Sequence, residues 1–484
     1  MATNSIIEQK PPSQIYQILA VGQKIIFVVS NQTAVANETR VKFVAKVHIS
    51  ENTYPDLSTT TDLVGTFKTT PNNAGVGIYD FSNVVENYVS ANNLAANGSS
   101  YKGTTTSNSF KPPIQLIDKY SLNENIVKYM AIEFAVEYKG ATDSSGTSDV
   151  NTVAIQAGTE RNSRVYVLFN GYIKETDVLT TGTGGGLNRL NFAFDMSPFI
   201  LRGGSSTKKL LTNAPEIQYA NINDYGTMSF WDDSGDPLRR FTLTYYDSSD
   251  SLLGIDLIER TTANGAYDSY DVSAKKQLKH IGCFPGNLQN WSSTFKTLVA
   301  AGTVQGGYYF VSAVDFAADT MTQTYRINLN CPTLKGYEPI RLCWLNQWGC
   351  WDYYTFTKKS TKTFTTQGTT YDQLGGTWNE SHYRIDSFKG GKKTFRVNTT
   401  EKIQINTDFL IEEENVMFEE LINSPEVYIL KEYEADASNS ALNQYVTPTR
   451  IITTTQTRKT VANDKLIQYT FEIEKSKKLR TQSI

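Results

Sequence analysis

The sequence predicts an all-β chain of several domains, sandwich or barrel in architecture, with a few short helices. Three observations carry this expectation. Apolar and polar residues alternate with period two along the whole chain, and turn-rich stretches of Gly, Ser, Thr and Asn punctuate the alternation. The composition also holds 28 Tyr and 23 Phe beside a heavy load of Thr, Ser and Asn. β-Branched and aromatic side chains fit a pleated, half-buried surface. Alternating strands separated by turns, without helical crossovers, read as sandwiches or barrels and not as βαβ units.

The clearest strand is Val41 to Ile49, where Val41, Phe43, Ala45, Val47 and Ile49 alternate with Lys42, Val44, Lys46 and His48. That pattern predicts one solvated face. Met130 to Tyr138, Phe241 to Tyr245, Tyr325 to Leu329 and Ile467 to Ile473 repeat it. Loops are expected at 99–109, 140–152, 180–188 and 203–207. A chain of 484 residues exceeds one ordinary core. The stretch near Gly203 and the strand end near Cys331 divide it into 1–204, 205–335 and 336–484.

An aromatic, Asp, apolar, Ser element occurs at Tyr79 to Ser82, Phe194 to Ser197 and Tyr270 to Ser273. It reads as a strand end leading into a helix start, with Asp or Ser oxygen accepting from first-turn N–H groups. One further helix is expected at 411–423, with Met417, Phe418, Leu421 and Ile422 as its apolar stripe and glutamates at 412, 413 and 414 in its first turn. A single amphipathic helix leading into the strand from Glu426 to Lys431 packs most simply across one end of a sheet.

Charge and chemistry narrow the function. A formal net charge of −3 lacks the surplus of Lys and Arg that a nucleic-acid partner requires. No secretion signal or membrane-length apolar run is present, so no membrane insertion is expected. His48, His280 and His382 stand apart from one another without Cys or His at zinc spacing, and no calcium loop occurs, so no metal or other cofactor is expected. His48 is expected at a solvated face or strand edge. The glycine runs at Gly182 to Gly186 and Gly390-Gly391 lack phosphate-loop context; the second reads as a hairpin turn between Phe388 and Phe395. Asp232, Asp233, Asp236, Asp247 and Asp250 raise a glycosidase pair, but Asp in Ser/Gly-rich turns ordinarily serves the backbone. With no nucleophile elbow or Cys/His arrangement, no enzyme activity is expected.

The densest feature is the aromatic hairpin from Arg341 to Phe356, with Trp344, Trp348 and Trp351. Core packing accounts for most of its rings. Trp348, at the turn, is the candidate for a subunit or ligand contact, with Trp231 a second. Cys343 and Cys350 flank that turn, where a disulfide is geometrically open and a reduced, buried pair is the expectation. Cys283 and Cys331 read as isolated small hydrophobes. The basic end, Lys475 to Arg480, reads either as contacting an acidic neighbour or as solvated.

The block LxWLNxxGxWDYYTF within that hairpin resembles virion structural proteins of tailed bacteriophages that infect Bacteroidetes-type bacteria. FEELINSPEVYIL (Phe418 to Leu430), Lys465 to Glu474, Lys68 to Ser90 and Lys208 to Trp231 resemble further segments of that family, which together cover about half of the chain. Cys343 and Cys350 depart from the family pattern, which leaves their role open. The resemblance implies a tail, baseplate or neck component that assembles with copies of itself and other virion proteins, in a particle built in the host cytoplasm. It carries over no enzymatic residue. The alternatives are a tail-tip protein that binds a host-surface receptor or glycan, a tail-associated depolymerase, and a capsid-decorating or head-fibre protein.

Overall fold

The computed structural model describes residues 4–11, 18–91, 114, 116–117, 119–123, 125–139, 153–174, 196–201, 208–232, 238–259, 278–329, 336–431, 445–455 and 467–480. It is all-β in character, with five sheets and a few short helices among the described residues. The chain divides into two compact units. One comprises 1–330 with 345–352, and the other 331–344 with 353–484.

The first unit begins with a sandwich. A three-stranded sheet, Ile6–Gln9, Ile26–Ser30 and Val76–Asp80, faces a seven-stranded sheet centred on Val127–Lys139 and Thr39–Ser50. Phe27, Val29 and Tyr79 from one side meet Phe43, Val47, Ile132 and Phe134 from the other in a single buried core. The Phe27 and Phe134 rings lie 5.5 Å apart. Each such side chain contributes about 1.5–3 kcal/mol on burial, so alternation at Phe43, Ala45, Val47 and Ile49 holds this strand in register. Its opposite face is not solvated as expected. Thr39–Ser50 lies between Val127–Lys139 and Leu63–Thr69. Val44 and His48 on that face are buried, and Lys46 pairs with Glu133 at 3.1 Å. His48 is therefore an interior residue, which corrects the expectation of an edge or solvent-facing histidine.

Tyr79 to Ser82 behaves as the sequence predicts. Asp80 Oδ1 accepts from the Ser82 backbone N–H at 3.0 Å and from its hydroxyl at 2.6 Å, where the short helix Ser82–Val85 begins. Of the second occurrence, Met196 and Ser197 are described, and Ser197–Phe199 forms a 3-10 turn with Pro198 at its start. Residues 194–195 and 270–273 lie outside the described residues, as do Asp233, Asp236, Cys331 and the loops predicted at 99–109, 140–152, 180–188 and 203–207.

The position near 204 is bridged by pairing. A four-stranded sheet runs in the order Ile200–Leu201, Met228–Asp232, Leu278–Ile281 and Tyr120–Leu122, joining strands from both sides of it. A five-stranded sheet, ordered Ile217–Ala220, Tyr325–Leu329, Tyr308–Asp315, Leu238–Tyr246 and Leu252–Glu259, completes this unit. Phe230 meets Phe241 at 4.8 Å between these two sheets.

The second unit is organised on an eight-stranded sheet, ordered Trp351–Phe356, Ile340–Leu345, Val427–Leu430, Val446–Ile451, Thr470–Lys475, Gly391–Asn406 and Thr361–Gln373, with Leu479–Arg480 added to Gly391–Asn406. The predicted helix is present as a 3-10 turn, Glu412–Glu414, continued by Asn415–Asn423. Glu414 accepts from the Ile411 N–H at 2.8 Å, satisfying an otherwise orphan donor at the helix start. Phe418 then packs among Trp344, Tyr354, Phe356 and Phe471, so the helix lies on a face of the sheet.

Candidate protein-protein interface

The turn that carries Trp348 is built by its own residues. Asn346 Oδ1 accepts from the backbone N–H groups of Trp348 and Cys350, both at 3.0 Å, while its Nδ2 donates to the Leu211 carbonyl at 3.0 Å. Gly349 has φ +70°, and a Cβ there would meet the Asn170 carbonyl oxygen at 2.0 Å. So tight an approach turns the tryptophan inward. Trp348 is 1% exposed and Trp231 2%. Trp348 lies 4.3 Å from the Phe199 ring and Trp231 5.8 Å from Phe169, in one core cluster that also holds Cys350. Both are core residues, and the outside contact expected of them is replaced by packing. Cys343 and Cys350 are buried free thiols, so the disulfide left open by the sequence is not formed.

A polar group lies beside this core. Ser229 Oγ shares a 2.7 Å hydrogen bond with His280 Nδ1. Burial pushes the imidazole down to about 3 and the Cys350 thiol up to about 12. A nucleophile with its base needs a lowered thiol and an imidazole that titrates near neutrality, so these shifts run opposite to activation. Asp232 is not a turn residue as expected. It ends its strand inside the sheet and forms a fully buried ion pair with Lys279, which seals it from any glycosidic bond. Asp247 does serve its turn, accepting from the N–H groups of Ser249 and Ser251 at 2.8 Å. Among the described residues, no group of three or more His, Cys, Asp or Glu is placed to hold a metal ion, and no helix is long and apolar enough to cross a membrane.

The feature that stands apart is a hairpin. Thr361–Gln373 pairs antiparallel with Gly391–Asn406 over its whole length. Near its base, Gly391–Asn406 also pairs with Thr470–Lys475 through residues 402–406 and with Leu479–Arg480 through Asn398 and Thr399. The basic end Lys475 to Arg480 thus reinforces the base of this arm. Beyond Asn398 the two strands pair only with each other among the described residues. At about 3.3 Å per residue, residues 391–397 carry the arm roughly 20 Å further. Thr361–Gln373 is rich in Thr and exposed on both faces, and Gly391–Asn406 is exposed or half-buried as far as Thr400 before Glu401, Ile403 and Ile405 become buried at the base. Thr369 pairs with Arg396 and Thr370 with Thr394, which leaves Phe395 as a bulge that turns the ring outward.

Residues 374–390 cap the arm as an ordered knob. Thr377 ties it together: its hydroxyl donates to the His382 carbonyl at 2.8 Å and accepts from the Arg384 N–H at 2.8 Å. Gly376, at φ +75°, has no room for a Cβ, which would meet the Tyr383 ring at 2.5 Å. Trp378 Nε1 donates to the Gly375 carbonyl at 2.6 Å, and its ring meets Tyr383 edge-on at 5.6 Å. Yet the apolar side chains face solvent. Leu374, Trp378, Tyr383, Ile385 and Phe388 are each 59–85% exposed. At about 200 Å² per large side chain, they offer on the order of 600 Å², as large as the largest patch on a typical monomer. Burying that area is worth on the order of 15 kcal/mol before association costs of about 4–15 kcal/mol.

Sequence reasoning missed this arm: it placed a hairpin turn at Gly390-Gly391 between Phe388 and Phe395, whereas Phe388 lies in the knob and Gly391, at φ +75°, opens the return strand paired with Thr361–Gln373. The available signal was two long Thr- and Lys-rich runs without an apolar face, flanking a stretch with five large apolar residues. No protein-family model matches the chain, and no curated protein matches its sequence.

Proposed function

We propose that this chain is a structural component of a tailed-phage virion, in the tail, baseplate or neck, and that it works by assembling into a symmetric oligomer. The arm carries this reading. A two-stranded ribbon is marginal in water by itself, and a knob that exposes five large apolar side chains at its end gains stability when another surface covers it. The resemblance of the hairpin block and its companion segments to phage virion proteins points the same way. Of the groups that invited a catalytic reading, the carboxylate Asp232 is buried in an ion pair and the thiol Cys350 and imidazole His280 are shifted away from reactivity.

Particles carrying a tagged copy of the chain provide the test. Tag density at the tail or neck, in copies set by a rotational symmetry, supports the reading. Absence from purified particles, or hundreds of copies spread over the head, overturns it. One observation favours a second reading as a tail-tip receptor or glycan binder: the exposed Trp378 and Tyr383 rings form a surface on which a sugar stacks. Glycan-array binding that disappears on Trp378→Ala would favour that alternative.

A further inference from the structure

We propose that the knob at 374–390 docks on a second copy of this chain, an inference that rests on reading the chain as a self-assembling structural protein. Charge favours this occupant. Over 361–399 there are six Lys and Arg and three Asp and Glu, a net of +3, on a chain whose formal net charge is −3. The rest of the chain therefore carries −6. The knob itself is neutral, Arg384 and Lys389 balancing Glu380 and Asp386, so the surplus lies on the stem, at Lys362, Lys392, Lys393 and Arg396 against Asp372, and it is the stem that is drawn to the body of another copy.

The knob does not suit a polyanion. Arg384 pairs with Glu380 at 2.6 Å and Lys389 with Asp386 at 2.9 Å, so two of its cations are already partnered within the knob. Nucleic-acid contact requires cations left for phosphates. The exposed rings and Ile385 alternate along the chain with these pairs, the mixture of apolar and charged side chains that protein interfaces use. Their roughly 600 Å² approaches the 800 Å² that one partner contributes to a stable complex. An arm on one copy and a different receiving face on the next make a head-to-tail contact, the kind that closes into a ring.

The test uses the full-length protein and two variants, each checked for native circular dichroism: the knob variant Ile385→Asp/Phe388→Asp, and Tyr54→Asp, which alters a side chain 80% exposed elsewhere. Mass photometry over a range of concentration and salt reads their assembly. Wild type and Tyr54→Asp are expected to form the same discrete oligomer. The knob variant should assemble at least about tenfold more weakly, and added salt should weaken the wild type. An oligomer indifferent to the knob variant overturns the proposal and leaves the structural reading standing. A monomeric wild type that is nonetheless present in particles, its knob cross-linked to a different virion protein, also overturns it and leaves that reading standing. Absence from particles fails both.

Discussion

Replacing Gly349 with alanine tests whether the turn at 346–350 is held by close approach or merely by backbone preference. Gly302 is the control, because the two glycines share nearly the same left-handed backbone, φ +70° and +69°. At Gly302 a Cβ meets nothing within 4 Å, so Gly302→Ala should cost only the left-handed penalty of about 1–2 kcal/mol. At Gly349 the same atom falls 2.0 Å from the Asn170 carbonyl oxygen, so the turn must move by about 1 Å. That movement pulls on the Tyr172 N–H to Gln347 carbonyl bond of 2.8 Å and on the Asn346 to Leu211 bond of 3.0 Å. Each buried hydrogen bond left unmade adds about 1–3 kcal/mol. The total for Gly349→Ala is therefore about 3–8 kcal/mol. Urea unfolding followed by the fluorescence of buried Trp231 and Trp348 reads the difference. If both variants lose the same stability within about 0.5 kcal/mol, the packed-turn argument is wrong.

Burial raises the Asp352 carboxyl to about 6, so its share of stability is complete below pH 4 and is lost as pH rises through 6, with a slope of at most about 1.4 kcal/mol per pH unit; pH-dependent urea titrations of Asp352→Asn should show that slope removed. His280, lowered to about 3, acts oppositely, its share being complete above pH 6.5 and lost as pH falls, so His280→Asn should flatten the acid side of the same curve. Asp232→Leu or Lys279→Met alone should each destabilise by about 3–5 kcal/mol, while Asp232→Leu/Lys279→Met together should recover most of it, a result a double-mutant cycle reads directly. Cys283, Cys343 and Cys350, buried and with raised pKa, should resist a thiol reagent until urea unfolds the chain, and rapid labelling of any of the three in native protein would contradict their placement.

What the sequence by itself determined were features whose cause is local. Tyr325, Ile327 and Leu329 alternate because one side of a pleat must be apolar, and they are the buried positions of that strand. Asp80 and Ser82 supply a helix start from within four residues. The stripe through Met417, Phe418 and Leu421 needs only helical spacing to choose its face, and all three are buried. Tertiary structure alone decided what closes over the other side of each element. His48 lies inside because the second face of its strand is covered too, and alternation reports only that one face is apolar. Trp348 and Trp231 are core because the segments holding Phe199 and Phe169, far away in sequence, come to meet them. The arm escaped notice for the opposite reason: a ribbon wet on both faces has no apolar period to read. Its knob shows as a surface only when folding leaves five large side chains largely exposed among the described residues.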